Sequence, residues 1–279
     1  MKFQRKRRRL GVYGALLACV VRMAAAQDAP AGAHGPPDSG TGGPLSTLLT
    51  DTGAYFTAPL HWDTRDWLYF GGTLAAVAAA HHYDDQVRRH FTIGPYAGNL
   101  QSTNTHDLQD ALPAVAAVGA TWFYSGLIRD SRGQRETGEM IEAGLLGSAS
   151  AFLFKFTIRR EGPQDTADSS KFGGGANTFP SLHTSAAFAI GTVLAESGND
   201  DVRWLRRLLG YGVVGGFTAY ERLKHNAHWL SDTVAGAGLG IATGHFVMNR
   251  HGPKDYYSGL SVVPIEGGAM LTYSTSLSP

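Results

Sequence analysis

HWLSDTVAGAGLGIATGHFVMN, residues 228–249, reads as one helix whose interior is mostly Ala, Gly and other small residues. Small side chains let helix backbones approach closely, which suits a tightly packed bundle. Each Gly inside a helix costs about 1 kcal/mol relative to Ala, so this many glycines speak for close packing rather than for propensity. Working outward, five more stretches have helical length and few breakers besides Gly: Asp66–Tyr83, His106–Ile128, Thr137–Thr157, His183–Ser197 and Asp201–Leu223. The fold class expected is all-α, a six-helix bundle. After His251 the pattern changes. Tyr256–Val263 and Ala269–Leu277 carry β-branched and aromatic residues around Glu266-Gly267-Gly268, predicting a short C-terminal β-hairpin.

The chain start is organised differently. Lys2, Arg5, Lys6, Arg7, Arg8 and Arg9 precede an apolar run, Leu10–Val21, and then Ala24-Ala25-Ala26. A basic head, an apolar middle and a small-residue exit make a secretory signal peptide over 1–26. An uncut anchor is the competing reading, although about 12 apolar residues are short for a span. The segment 27–50 is rich in Gly, Pro, Ala, Asp and Ser and reads as a flexible leader. Ordered structure is expected from Leu48–Phe56 onward, with a helical domain over 51–250 and a tail over 251–279. The protein is therefore expected to be exported and periplasmic, with inner-membrane association or contact with a membrane surface allowed. Only Ala111–Ile128 offers about 18 uncharged residues in a row. Cys19 is the only cysteine, so a processed chain has neither disulfides nor thiolate ligands. With hydrophobic residues at 43% and charged residues at 17%, the composition is neither that of a disordered chain nor that of a nucleic-acid binder.

Three clusters carry chemistry. His228 and Asp232, four apart, share a helix face, and a carboxylate on one imidazole nitrogen leaves the other with the lone pair that a nucleophile needs. Pro180 and Ser181 precede the helix of His183, and a helix start presents N–H groups to an anion. His183 there can act as general acid. Lys155, Arg159 and Arg160 supply cations that can stabilise a phosphoryl transition state. Each cluster also has a plain structural reading: a His–Asp pair, an N-capping Ser, a solvated helix end. His81, His82, Asp84 and Asp85 read as a polar helix end rather than as a metal site.

In chain order, Lys155 through Pro163, then Pro180-Ser181-Leu182-His183, then Arg222-x5-His228-x3-Asp232, the clusters resemble the tripartite signature of the type 2 phosphatidic acid phosphatase/vanadium haloperoxidase superfamily. The resemblance implies a phosphatase acting on lipid phosphates, soluble phosphomonoesters or pyrophosphate through a phosphohistidine. His228 would attack phosphorus, Asp232 would orient it, and His183 would protonate the leaving group. Lys155, Arg160, Ser181, the N–H of Leu182 and Arg222 would hold phosphate oxygens. No cofactor and no metal are expected, because the cations replace them. The partner would be a phosphorylated small molecule or lipid phosphate, not nucleic acid.

This chain departs from the pattern at three points. Gly162 stands where the family has Arg before the Pro, Leu182 where it has Gly, and Glu221 where it often has Ser. An arginine placed at 162 is expected to restore a missing cation. Two other readings stay open: an inactive, phosphate-binding member, and a vanadium-dependent haloperoxidase.

Overall fold

The computed structural model describes residues 44–93, 103–174, 177–198, 200–251, 259–265 and 268–274. The expected signal peptide and most of the leader lie outside the described residues. The helices are α1 (Pro44–Thr57), α2 (Thr64–His81), α3 (Asp84–Thr92), α4 (Thr103–Leu127), α5 (Ser131–Ile158), α6 (Leu182–Glu196), α7 (Arg203–Arg207), α8 (Thr218–Lys224) and α9 (Leu230–His251). A hairpin, β1 (Gly259–Ile265) and β2 (Gly268–Ser274), ends the described chain, with Ile265 opposite Gly268. The expected all-α architecture and tail hairpin are both present. Two helices, α1 and α3, go beyond the six expected.

Local signals explain the helix starts. Asp63 and Asp66 form a reciprocal capping box on α2. Asp130 caps α5 by accepting from the Arg132 N–H, and Ser181 caps α6 by accepting from the Thr184 N–H. Helix α5 ends at Arg159, which adopts the left-handed conformation at φ 50°.

Helix α6 is the axis of the bundle and packs against α9, α5 and α4. Phe188 of α6 joins Leu230, Val234 and Ile241 of α9 in one apolar cluster. Val193 joins Met140 and Leu146 of α5 and Val247 of α9 in a second. The glycines of α9 set the approach. A Cβ at Gly236 would stand 2.6 Å from the Ser181 carbonyl oxygen, and one at Gly240 would overlap the Ser185 carbonyl. Helix α9 therefore lies directly on the backbone of α6, and the starts of the two helices meet.

The stretch expected as one helix, Asp201–Leu223, is helical but not uniform. Between α7 and α8, Leu208–Phe217 winds as a π-helix. Its Gly210 faces Gly191 of α6 backbone to backbone, with no room for a Cβ on either. Wide turns of this kind are rare and are set by tertiary contacts rather than by local propensity.

Candidate active site

The site forms where the end of α5 meets the starts of α6 and α9. The Ser181 N–H donates to the Asp232 carbonyl oxygen at 3.0 Å, which ties the two helix starts together. His228 lies in the short turn before α9 and is 6% exposed. Its Nδ1 faces Asp232 Oδ2 at 3.4 Å, and the Trp229 N–H donates to the same oxygen at 3.1 Å. With Nδ1 committed to the carboxylate, the lone pair sits on Nε2. Burial pushes the His228 pKa down to about 4; the Asp232 hydrogen bond opposes this, and the Arg222 and Lys155 charges reinforce it. A neutral imidazole is thus favoured across the physiological range, which is the form a nucleophile requires.

Two of the expected cations act on the charge of this histidine. Arg222, in the last turn of α8, donates from one Nη to Asp110 Oδ2 at 2.9 Å. Lys155, in the last turn of α5, donates to the carbonyl oxygens of Asn177 (2.5 Å) and Thr178 (3.4 Å). Ser181 is fully buried, and its Oγ accepts from both the N–H and the hydroxyl of Thr184. Leu182 and His183 are the first two residues of α6, at the positive end of its dipole.

Arg160 is placed differently from the expectation. It was expected on a phosphate oxygen, but it is 1% exposed and its guanidinium is taken up by protein acceptors. One Nη donates to Asp232 Oδ1 at 2.5 Å and to Ser231 Oγ at 2.7 Å. The other donates to Asp84 Oδ2 at 2.6 Å and to the Ser169 carbonyl at 2.6 Å, and Nε donates to the same carbonyl at 3.0 Å. Five N–H groups in a fixed fork can bridge two carboxylates in this way, and His81 Nδ1 lies 3.1 Å from the same Nη as Asp84.

Asp84 was read as part of a polar helix end, yet it is fully buried. Its Oδ1 accepts from the Ser231 N–H at 2.8 Å and its Oδ2 from the Ser231 hydroxyl at 2.7 Å. Asp110, Ser231 and Trp229 were not singled out either. Trp229 is 1% exposed, donates its Nε1–H to the Glu161 carbonyl, and lies under the Arg160 guanidinium. The spacing of Ser231 between His228 and Asp232 was visible; the partners of Asp84 and Asp110, 147 and 112 residues away, were not.

Gly162 is packed. A Cβ there would stand 2.7 Å from Thr178 Cγ2 and 3.3 Å from Asp165 Oδ2. An arginine at 162 would therefore restore a cation only if the Thr178 methyl gives way.

Among the described residues, two groups have metal-ligand geometry: Asp51 with Glu142 and His251, and Asp110 with Glu221 and His225. In each group an arginine already holds a carboxylate. Arg250 donates to Asp51 at 2.6 Å, and Arg222 donates to Asp110.

The described residues thus bring together, in an all-helical bundle, a buried His–Asp pair, a second histidine at a neighbouring helix start and cations acting on the pair, an arrangement suited to an anion. The family model for the PAP2 superfamily matches residues 140–255, the segment that carries all three clusters. Over that segment the chain is similar to the type 2 phosphatidic acid phosphatase superfamily. It is also similar to a lipid A 1-phosphatase of Porphyromonas gingivalis, 29% identical over 201 residues, which cover 69% of this chain and 39% of the relative. The chain thus spans about two fifths of that relative's length. No solved structure matches.

Proposed function

We propose that the protein is a phosphatase that hydrolyses lipid phosphate esters through a phosphohistidine at His228. The observation that carries the mechanism is the buried His228 held by Asp232 through Nδ1, with the charges of Arg222 and Lys155 acting on its ring. His228 Nε2 forms a bond to phosphorus as the ester P–O bond breaks. The departing oxygen keeps that electron pair and takes a proton from His183. In the second half, His183 takes a proton from water, the water oxygen bonds to phosphorus, and the P–N bond breaks to release phosphate. Lys155 and Arg222 offset the charge that builds on the phosphoryl oxygens, which is worth several kcal/mol in a water-poor site.

The lipid part of the reading rests on what surrounds Lys155. Phe152, Phe154 and Phe156, on the same helix end, are about half exposed. Further large apolar side chains, among them Trp67, Trp122 and Phe217, are exposed on α2, α4 and the π-helical stretch. A surface this apolar is unusual for a protein that meets only water. Among the described residues one helix, α5, is long and apolar enough to cross a membrane; the uncharged run in α4 that the sequence singled out is not the one that meets this measure. Export to the periplasm and membrane contact belong to the same proposal. The similarity to a lipid A phosphatase supports it.

The test offers the detergent-solubilised chain phosphatidic acid in mixed micelles and p-nitrophenyl phosphate in solution, both with EDTA. Release of phosphate from the lipid, lost in His228→Ala, is expected. Equal turnover of the soluble ester alone would remove the lipid part. Full activity in His228→Ala would remove the mechanism.

A further inference from the structure

The buried ion-pair network behind Asp232 has no counterpart in the signature read from the sequence. Its members are His81 of α2, Asp84 of α3, Arg160 after α5, and Ser231 and Asp232 of α9; His81 Nδ1 lies 2.9 Å from Asp84 Oδ2 and 3.1 Å from an Arg160 Nη. Arg160 sits between the two carboxylates, 2.5 Å from Asp232 and 2.6 Å from Asp84, with all three side chains at or below 1% exposure. Ser231 closes a ring: it accepts from Arg160 and donates twice to Asp84. The network stands in the segment where the family pattern has its arginine before Pro163, a position filled here by Gly162 and crowded by Thr178.

We infer that Arg160, braced by Asp84 and Ser231, is a positioning residue that fixes the Asp232 carboxylate against His228 and sets the net charge behind the nucleophile. The inference rests on the phosphohistidine reading. Two physical reasons support it. First, Asp232 Oδ1 is held by the guanidinium, so Oδ2 alone is presented to His228 Nδ1 and the Trp229 N–H. The guanidinium meets Asp232 through one N–H, and its other nitrogens are held by Asp84 and the Ser169 carbonyl, so its plane and that contact are fixed. Second, the Asp84 and Asp232 carboxylates and the Arg160 guanidinium sum to one negative charge behind the imidazole, set against the Lys155 and Arg222 charges and with the His81 ring on Asp84. When Nε2 attacks phosphorus, the ring gains positive charge, and in a buried site that charge is strongly felt. Asp232 and Arg160 alone would cancel; Asp84 restores the negative excess.

The test uses the full chain in detergent with p-nitrophenyl phosphate, normalised to the number of orthovanadate-binding sites. Asp84→Asn keeps shape and removes one charge. Arg160→Lys keeps charge and cannot bridge both carboxylates. Each is expected to lower kcat roughly 10- to 100-fold with a much smaller change in KM, as a misplaced catalytic group does. Asp84→Asn should also move the acid limb of kcat/KM to lower pH, because a negative charge near His228 is gone; a purely structural defect leaves the limb in place. Ser231→Ala, a milder change, should fall between these variants and the parent. Unchanged kcat per site in both Asp84→Asn and Arg160→Lys overturns the inference. So does activity loss fully accounted for by lost vanadate sites. If His228→Ala stays active, the phosphohistidine reading itself fails, and the two failures are thereby told apart.

Discussion

The Ser181 N–H donates to the Asp232 carbonyl oxygen, and this one bond joins the helix start that carries His183 to the helix start behind His228. It exists because α9 lies on α6 without side chains between them at Gly236 and Gly240. The packing of small residues and the assembly of the site are therefore the same event. Removing the close approach should damage both together.

Gly240→Ala places a Cβ into the Ser185 carbonyl, and backbone cannot swing away as a side chain can. The expected cost is about 1–3 kcal/mol, read as a lower Tm. Gly71→Ala in α2 is the matched control, because nothing lies within 4 Å of its Cβ position. It should be neutral or stabilise by up to about 1 kcal/mol through better helix propensity. Equal Tm values for the two variants would mean that α9 does not lie on α6 as described.

Gly162→Arg should not raise activity. The new Cβ meets Thr178 Cγ2 at 2.7 Å, so a loss of about 1–3 kcal/mol in stability is expected from overpacking. Pairing it with Thr178→Gly removes that obstacle. A higher kcat/KM in the double variant than in Gly162→Arg alone, measured with p-nitrophenyl phosphate, is the expected result.

His228 should titrate far below an ordinary histidine. Its pKa is pushed down to about 4 by burial and by the Arg222 and Lys155 charges, against the Asp232 hydrogen bond. The unfolded chain takes up a proton near pH 6.5, whereas the folded protein does not until about pH 4. The contribution to stability is therefore full above pH 6.5 and declines as the pH falls between those values. In protein labelled with 15N-histidine, the ring signal lost in His228→Ala should show no transition between pH 8 and 5. A midpoint between pH 6 and 7 would contradict the burial described here.

Asp110→Asn should weaken anion binding. Asp110 is 1% exposed and holds the Arg222 guanidinium at 2.9 Å, so its loss frees that cation to move. Inhibition by orthovanadate is expected to weaken by about tenfold, the effect of one charge-assisted hydrogen bond. An unchanged inhibition constant would show that Arg222 needs no such hold.

Much of this was legible locally. The pattern of small residues gave the bundle, and the four-residue spacing of His228 and Asp232 gave the central pair, although His228 lies in the turn before α9 and not on the helix face expected. Ser181 was readable as both a cap and a site residue, and the structure places it as the cap of α6. What stayed hidden depends on contacts between distant parts of the chain. Arg160 has the same chemistry on either side of a carboxylate, and only its burial next to Asp84, 76 residues earlier, tells which side it takes. Asp84 was read as part of a polar helix end because aspartates are mostly exposed. The π-helical turns of Leu208–Phe217 answer to Gly191 on another helix, which no local window contains. The short helices α1 and α3 fell in polar stretches without a long apolar period.

The central claim is covalent chemistry at His228. Rapid mixing with a 32P-labelled lipid phosphate, quenching in base and peptide mapping tests it directly. The account predicts an acid-labile, base-stable label on the peptide containing His228, absent in His228→Ala and longer-lived in His183→Ala. A label on another residue, or steady turnover with no label at any time point, would contradict it.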